Sequence, residues 1–181
     1  MQYERQPRYK FLYSFSAFGY CDFLLGHGCC EEVLERAGFG IEITKRNNWL
    51  LSIALDYLSL GKTHTLLFQK NGQAEHRKAT AQHLDAAVAG LEKAGTQHNL
   101  PWGFLARAHY RRLLQDWPGA AQDLAAARDI AESGGMRLHL CDYHLESARL
   151  ALAMGDKGDA REHYEAARAL VSETGYHRRD G

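Results

Sequence analysis

Apolar residues recur at spacings of three and four over most of the chain, the period that lines one face of a helix. The pattern is plainest from Met136 to Leu170. Leu138, Cys141, Leu145, Ala148 and Leu152 mark one face, and Ala160, Tyr164 and Ala167 mark a second. Between them, Gly155-Asp156-Lys157-Gly158-Asp159 is made of turn formers. This stretch predicts two helices joined by a tight turn. Ala160 and Ala167 are small enough for two helix backbones to approach, and the ring of Tyr164 is expected to fill the gap between them. Neither helix buries its apolar face alone, so the pair needs neighbours.

The same pattern supplies them. Ala120, Leu124 and Ala127 repeat the small–large–small triplet forty residues earlier, and Thr80, Leu84 and Ala87 repeat it forty before that. Val33, Ala37 and Gly40 form a weaker copy a further forty-seven residues back. A second mark keeps this rhythm. Asn48, Gly95, Gly135 and Gly175 are spaced 47, 40 and 40, and each follows a helical pattern. Helices commonly end on a left-handed residue, which Gly and Asn tolerate. Two unrelated features with one period predict a helical repeat array of four antiparallel pairs. They cover about 9–47, 48–94, 96–134 and 136–174 within a single domain, 1–181.

The seven extra residues of the second repeat can be located. Gly28 and Val33, Gln115 and Ala120, and Gly155 and Ala160 are each five apart, whereas Phe68 and Thr80 are twelve apart. The polar run 69–79, with Asn71-Gly72, is therefore expected to be a longer loop between paired helices. The first helix is expected from about Tyr9 to Leu25 after a flexible lead. Glu31 and Glu32 favour the start of the next, where negative charge meets the helix dipole. Pro101 suits a first helical turn, and Asp116-Trp117-Pro118-Gly119 reads as a turn. Residues 176–181 would begin a further helix, and no polar capping element follows.

Composition narrows the classes. The 181 residues balance 22 Lys and Arg against 22 Asp and Glu, which argues against a phosphate-tracking surface and a nucleic-acid partner. No apolar run is long enough for a spanning helix. Arg5, Arg8 and Lys10 ahead of Phe11 to Leu25 superficially suggest a signal peptide. Ser14, Ser16, Tyr20 and Asp22 interrupt that run and fit an amphipathic helix better. A cytoplasmic protein with no membrane contact is the expectation. Cys21, Cys29, Cys30 and Cys141 make no disulfide framework, and reduced thiols are expected.

Reactive chemistry is sparse. Gly155 to Asp159 is too short for a phosphate loop and lacks its hydroxyl. The ten histidines contain no His-Glu-x-x-His pattern. His139, Cys141 and His144 come nearest to a ligand cluster. His139, however, lies five residues from His144 and points elsewhere, and metal sites need convergent ligands. No serine stands in a nucleophile elbow. The expectation is no catalytic residue, no metal, no cofactor and no enzyme. Trp49, Trp102 and Trp117 fall near repeat boundaries, where large rings seal gaps between helices. Trp102 is also a candidate anchor for a partner.

Paired helices with a small–aromatic–small signature and a Gly turn resemble the tetratricopeptide repeat, most closely at Gly155, Ala160, Tyr164 and Ala167. The period of forty exceeds that family's usual ~34. It is similar to the extended repeats in sensor arms of bacterial signal-transducing ATPases of the maltose-regulator type. Tyr20 to Leu25, Leu58 to Gly61 and His144 to Leu150 look similar to segments of such proteins. The resemblance implies an all-α, right-handed superhelical array. It also implies protein or peptide binding in a groove lined by the first helix of each pair, as a scaffold or sensor arm in bacterial signalling.

Carried over residue by residue, the groove would include Phe18, Asp22, Leu58, Lys62, Leu105, His109, Leu145 and Arg149, with Arg112 and Trp102 extending it. Asp22, Lys62, His109 and Arg149 hold matching places in successive repeats. Two alternatives stay open beside a peptide partner. The groove could sense a small ligand, or the uncapped C-terminal end could pair with a second copy as a self-assembling structural module.

Overall fold

The computed structural model describes residues 14–175. All regular structure among them is helical. It comprises α1 (Ser14–Gly26), α2 (Cys30–Arg46), α3 (Leu50–Asn71), α4 (Ala74–Lys93), a 3-10 turn (Gln97–Asn99), α5 (Leu100–Leu113), α6 (Trp117–Ser133), α7 (Arg137–Met154) and α8 (Lys157–Thr174). The expected lead, the start of the first helix before Ser14 and the further helix over 176–181 lie outside the described residues. The chain, expected as one domain, divides into two compact units, one ending at Gly95 and one beginning at Thr96.

The punctuation follows the sequence. Asn48, Gly95, Gly135 and Gly175 all take positive φ, as do Gly28, Gly72, Gln115 and Gly155 at the turns inside pairs. Each of these residues reverses the chain within a short connection. The following helix then starts at once. Asp116 accepts a hydrogen bond from the Gly119 N–H, and Asp156 accepts from the Gly158 and Asp159 N–H groups, so both aspartates are N-caps. The expected turns Asp116–Gly119 and Gly155–Asp159 are accordingly shorter, because their second halves already belong to α6 and α8.

In the first unit α3 packs against α1, α2 and α4. It is buried all round, with Ala54, Leu55 and Leu58 beside Ser52, Ser59, Thr63 and Thr65. The Thr63 and Thr65 hydroxyls return hydrogen bonds to the carbonyls of Ser59 and Gly61, which satisfies them inside the helix. Thr80, Leu84 and Ala87 are buried on α4, and Val33, Ala37 and Gly40 on α2. In the second unit α7 packs against α5, α6 and α8. Ala108, Ala120, Leu124, Tyr143 and Leu150 form a core against which Leu105 and Trp117 pack. Ala127 and Ala167 are buried as well.

Three expectations need correction. The polar run 69–79 is not a loop, because α3 continues to Asn71 and α4 begins at Ala74. The insertion adds four residues between Phe68 and the turn at Gly72 and three between Gly72 and Thr80, about one helical turn on each limb. Its exposed tip favours polar residues whatever its conformation, so composition read as loop. Tyr164 fills no gap and is 54% exposed. The matching Leu124 is covered by Tyr143 and Leu150 of α7, whereas α8 is packed only against α7 among the described helices. Leu138 and Leu152 are exposed too, so the buried stripe of α7 runs instead through Cys141, Ala148 and Ala151 with Tyr143 and Leu150. No described helix is long and apolar enough to cross a membrane.

Candidate functional site

The first helices of neighbouring pairs touch within each unit, α1 with α3 and α5 with α7. Residues of the expected groove fall on these faces. In the first unit, Lys62 Nζ lies 2.9 Å from Asp22 Oδ1 and 5.1 Å from the centre of the Phe18 ring. The structure thus joins Phe18, Asp22 and Lys62. Phe18 is mostly buried, and Leu58 is fully buried. Leu58 therefore lines no groove; its side chain faces the packed core of α3.

In the second unit, Arg112 Nε of α5 donates to Glu146 Oε1 of α7 at 2.6 Å, and Arg149 Nη1 lies 3.2 Å from Glu146 Oε2. Glu146 is nearly inaccessible, whereas the Arg149 side chain is 57% exposed. Two cations share one buried anion, and the second cation faces solvent. Such charge-assisted contacts fix guanidinium planes in place. Trp102 stacks on His139, with ring centres 5.6 Å apart. Leu105 packs on the α5–α7 core, and Leu145 and His109 are half-buried.

Several polar groups escaped sequence reasoning. Glu146 is one; its three-residue spacing from Arg149 was a usable signal. Asp123 is another. Arg107 grips it through Nη2 to Oδ1 at 2.7 Å and Nε to Oδ2 at 2.9 Å, and Arg111 Nη1 lies 3.0 Å from Oδ2. Asp123 stands three residues past Ala120, where α4 has His83 and α8 has His163. Contacts across the pair recur there: His83 stacks on Tyr57 and His64. No local pattern announces such a contact, because the partner lies on the other helix.

His139, Cys141 and His144 each meet a different neighbour, including Cys141 and His144, whose three-residue spacing puts them on one helix face. His139 meets Trp102, the Cys141 thiol lies 3.8 Å from the Ala167 carbonyl, and His144 meets His163. Among the described residues no group of three or more His, Cys, Asp or Glu is placed to hold a metal. Burial raises the Cys21 thiol to about 11, with Asp56 adding to the effect, so Cys21 stays protonated and inert. Asp56, on α3, is raised to about 7 by burial, against the opposing hydrogen bond from Thr44. Asn99 is 1% exposed, and neither atom of its amide has a hydrogen-bond partner.

Comparison with protein-family models, with curated proteins and with solved structures finds no match for the chain.

Proposed function

We propose that the chain is a protein-interaction module of the tetratricopeptide type, and that the α5–α7 face of the second unit docks an acidic peptide segment of a protein partner. One observation carries the reading. Arg112 and Arg149 converge on a single buried carboxylate, and Arg149, the exposed member, presents its guanidinium to solvent, where it can also meet a carboxylate of a partner. Trp102, half-buried on the same helix as Arg112, supplies an aromatic edge of the sort that anchors peptide side chains. The role is that of a scaffold or sensor arm, without catalysis.

The test is fluorescence anisotropy with labelled acidic, neutral and basic peptide pools. Acidic peptides should bind, and Arg149→Glu should weaken them at least tenfold while circular dichroism stays unchanged. Equal binding of all three pools, or indifference to Arg149→Glu, would refute the reading.

A small-ligand sensor is the second reading, favoured by the unpaired amide of Asn99. Buried polar groups without partners cost free energy unless a ligand or water meets them. Tight uptake of a small polar molecule, abolished by Asn99→Leu and accompanied by no peptide affinity, would select it.

A further inference from the structure

Two pairs of imidazoles meet nitrogen to nitrogen across helix pairs, one in each compact unit. His64 Nδ1 of α3 lies 3.0 Å from His76 Nδ1 of α4. His144 Nδ1 of α7 lies 2.9 Å from His163 Nδ1 of α8. The pairs do not occupy matching places. His163 stands three residues past Ala160, and His76 four residues before Thr80. The same contact has therefore arisen twice by different routes.

Proton counting decides what such a contact tolerates. A neutral imidazole carries one N–H and one lone pair. At this separation one Nδ1 must donate and the other accept. A first added proton leaves that arrangement intact, since an imidazolium donates to a neutral partner through a charge-assisted bond. A second makes both nitrogens donors and sets two cations against each other. The closed contact admits a pair charge of zero or one and excludes two.

Other titratable and charged groups surround both contacts. His163 Nε2 lies 3.7 Å from Asp159 Oδ1. His144 is held below the usual histidine range by burial and then by His163, against a weaker upward pull from Glu132 of α6. The Tyr143 ring closes on both imidazoles, and Arg128 of α6 reaches its hydroxyl. In the first unit His64 is likewise lowered, by burial and then by His83 and His76, with Glu75 opposing. His83 is itself lowered, by burial and then by Lys45 of α2.

We propose that these contacts are proton-counting clasps: each holds its hairpin closed at neutral pH and releases it on mild acidification, when the second imidazole of the pair takes up a proton. The inference does not depend on what the molecule binds.

The experiment follows ring nitrogen shifts of the 181-residue chain by NMR from pH 8 to pH 4.5, with amide exchange measured at each pH and corrected for the intrinsic rate. Within each pair the two imidazoles should titrate in steps at least one pH unit apart, as interacting sites do. Below the second step, protection along the first half of α8 should fall about tenfold per pH unit. His163→Asn keeps a polar partner for His144 but takes up no proton. It should flatten the acid response of α7–α8 and leave that of α3–α4 unchanged. Coincident independent titration of all four imidazoles, or an acid response untouched by His163→Asn, would overturn the proposal. Should that variant fail to fold, the titration of the unaltered chain decides alone.

Discussion

The Thr44 hydroxyl of α2 donates to Asp56 Oδ2 of α3 at 3.0 Å, inside the first unit. The fit is close, since a Cβ on Gly40 would lie 3.0 Å from Asp56 Oδ1. The small residue that ends the first triplet therefore makes room for a buried carboxyl. Thr44 gives the acid one hydrogen bond, too little to offset the loss of water around a charge.

Asp56 should make stability fall as pH rises. The unfolded chain releases this proton near pH 4, whereas the folded chain holds it to about pH 7. Between those values the folded state binds more protons, so unfolding becomes easier with each step upward and then levels off. Asp56→Asn keeps the acceptor for Thr44 and removes the charge. It should stabilise the protein by about 2–4 kcal/mol at pH 8 and by less than about 1 kcal/mol at pH 4. Urea midpoints at the two pH values measure the difference.

Close helix packing makes a second prediction. A Cβ on Gly61 would lie 2.5 Å from Leu84 Cδ2, and Leu84 is wholly buried with nowhere to move. Gly61→Ala should lower stability by about 1–3 kcal/mol despite Ala's better helix propensity. Gly38, inside α2, has open space where its Cβ would stand. Gly38→Ala should raise stability by about 0.5–1 kcal/mol. Thermal melts of the two variants should move in opposite directions.

Arg112 and Arg149 should differ although both reach Glu146. Removing Arg112 strips a buried carboxylate of its shorter contact and should cost about 2–4 kcal/mol. Removing the largely exposed Arg149 should cost less than about 1 kcal/mol. A double-mutant cycle on denaturant midpoints separates the two.

Backbone conformation gives a fourth. Gln115 holds φ 61° where the matching turns have Gly28 and Gly155. A left-handed conformation costs an L side chain roughly 1 kcal/mol. Gln115→Gly should raise stability by about 0.5–1 kcal/mol, after allowing for the greater freedom of the unfolded chain. Equilibrium unfolding checks it.

What could be read from the chain alone was whatever a single helix dictates. The triplets 80–84–87 and 120–124–127 are buried as their spacing requires, and the left-handed positions fall where the periodic Gly and Asn residues stand. What escaped depended on the facing helix. Tyr164 has the right spacing for burial but lacks a described neighbour to cover it, and Leu58, expected in the groove row, is fully buried because α3 is enclosed. Asp22 and Lys62 were expected to reach for a partner and instead reach for each other, since consecutive first helices bring opposite charges within 2.9 Å. The Glu146 and histidine contacts join residues 12, 19 or 34 apart in the chain and on different helices, beyond the periodicity of any one helix.

The lengthened α3–α4 arm has an effect at its base as well as at its tip. Position 76 stands four residues before Thr80, as Asp116 stands before Ala120 and Asp156 before Ala160. In those shorter arms the residue caps a helix from outside. Here the added turn places it inside α4, where His76 reaches across to His64. Growth at an exposed end has thus converted a terminal residue into an interior one and created a contact at a position that in those shorter arms lies outside the helix.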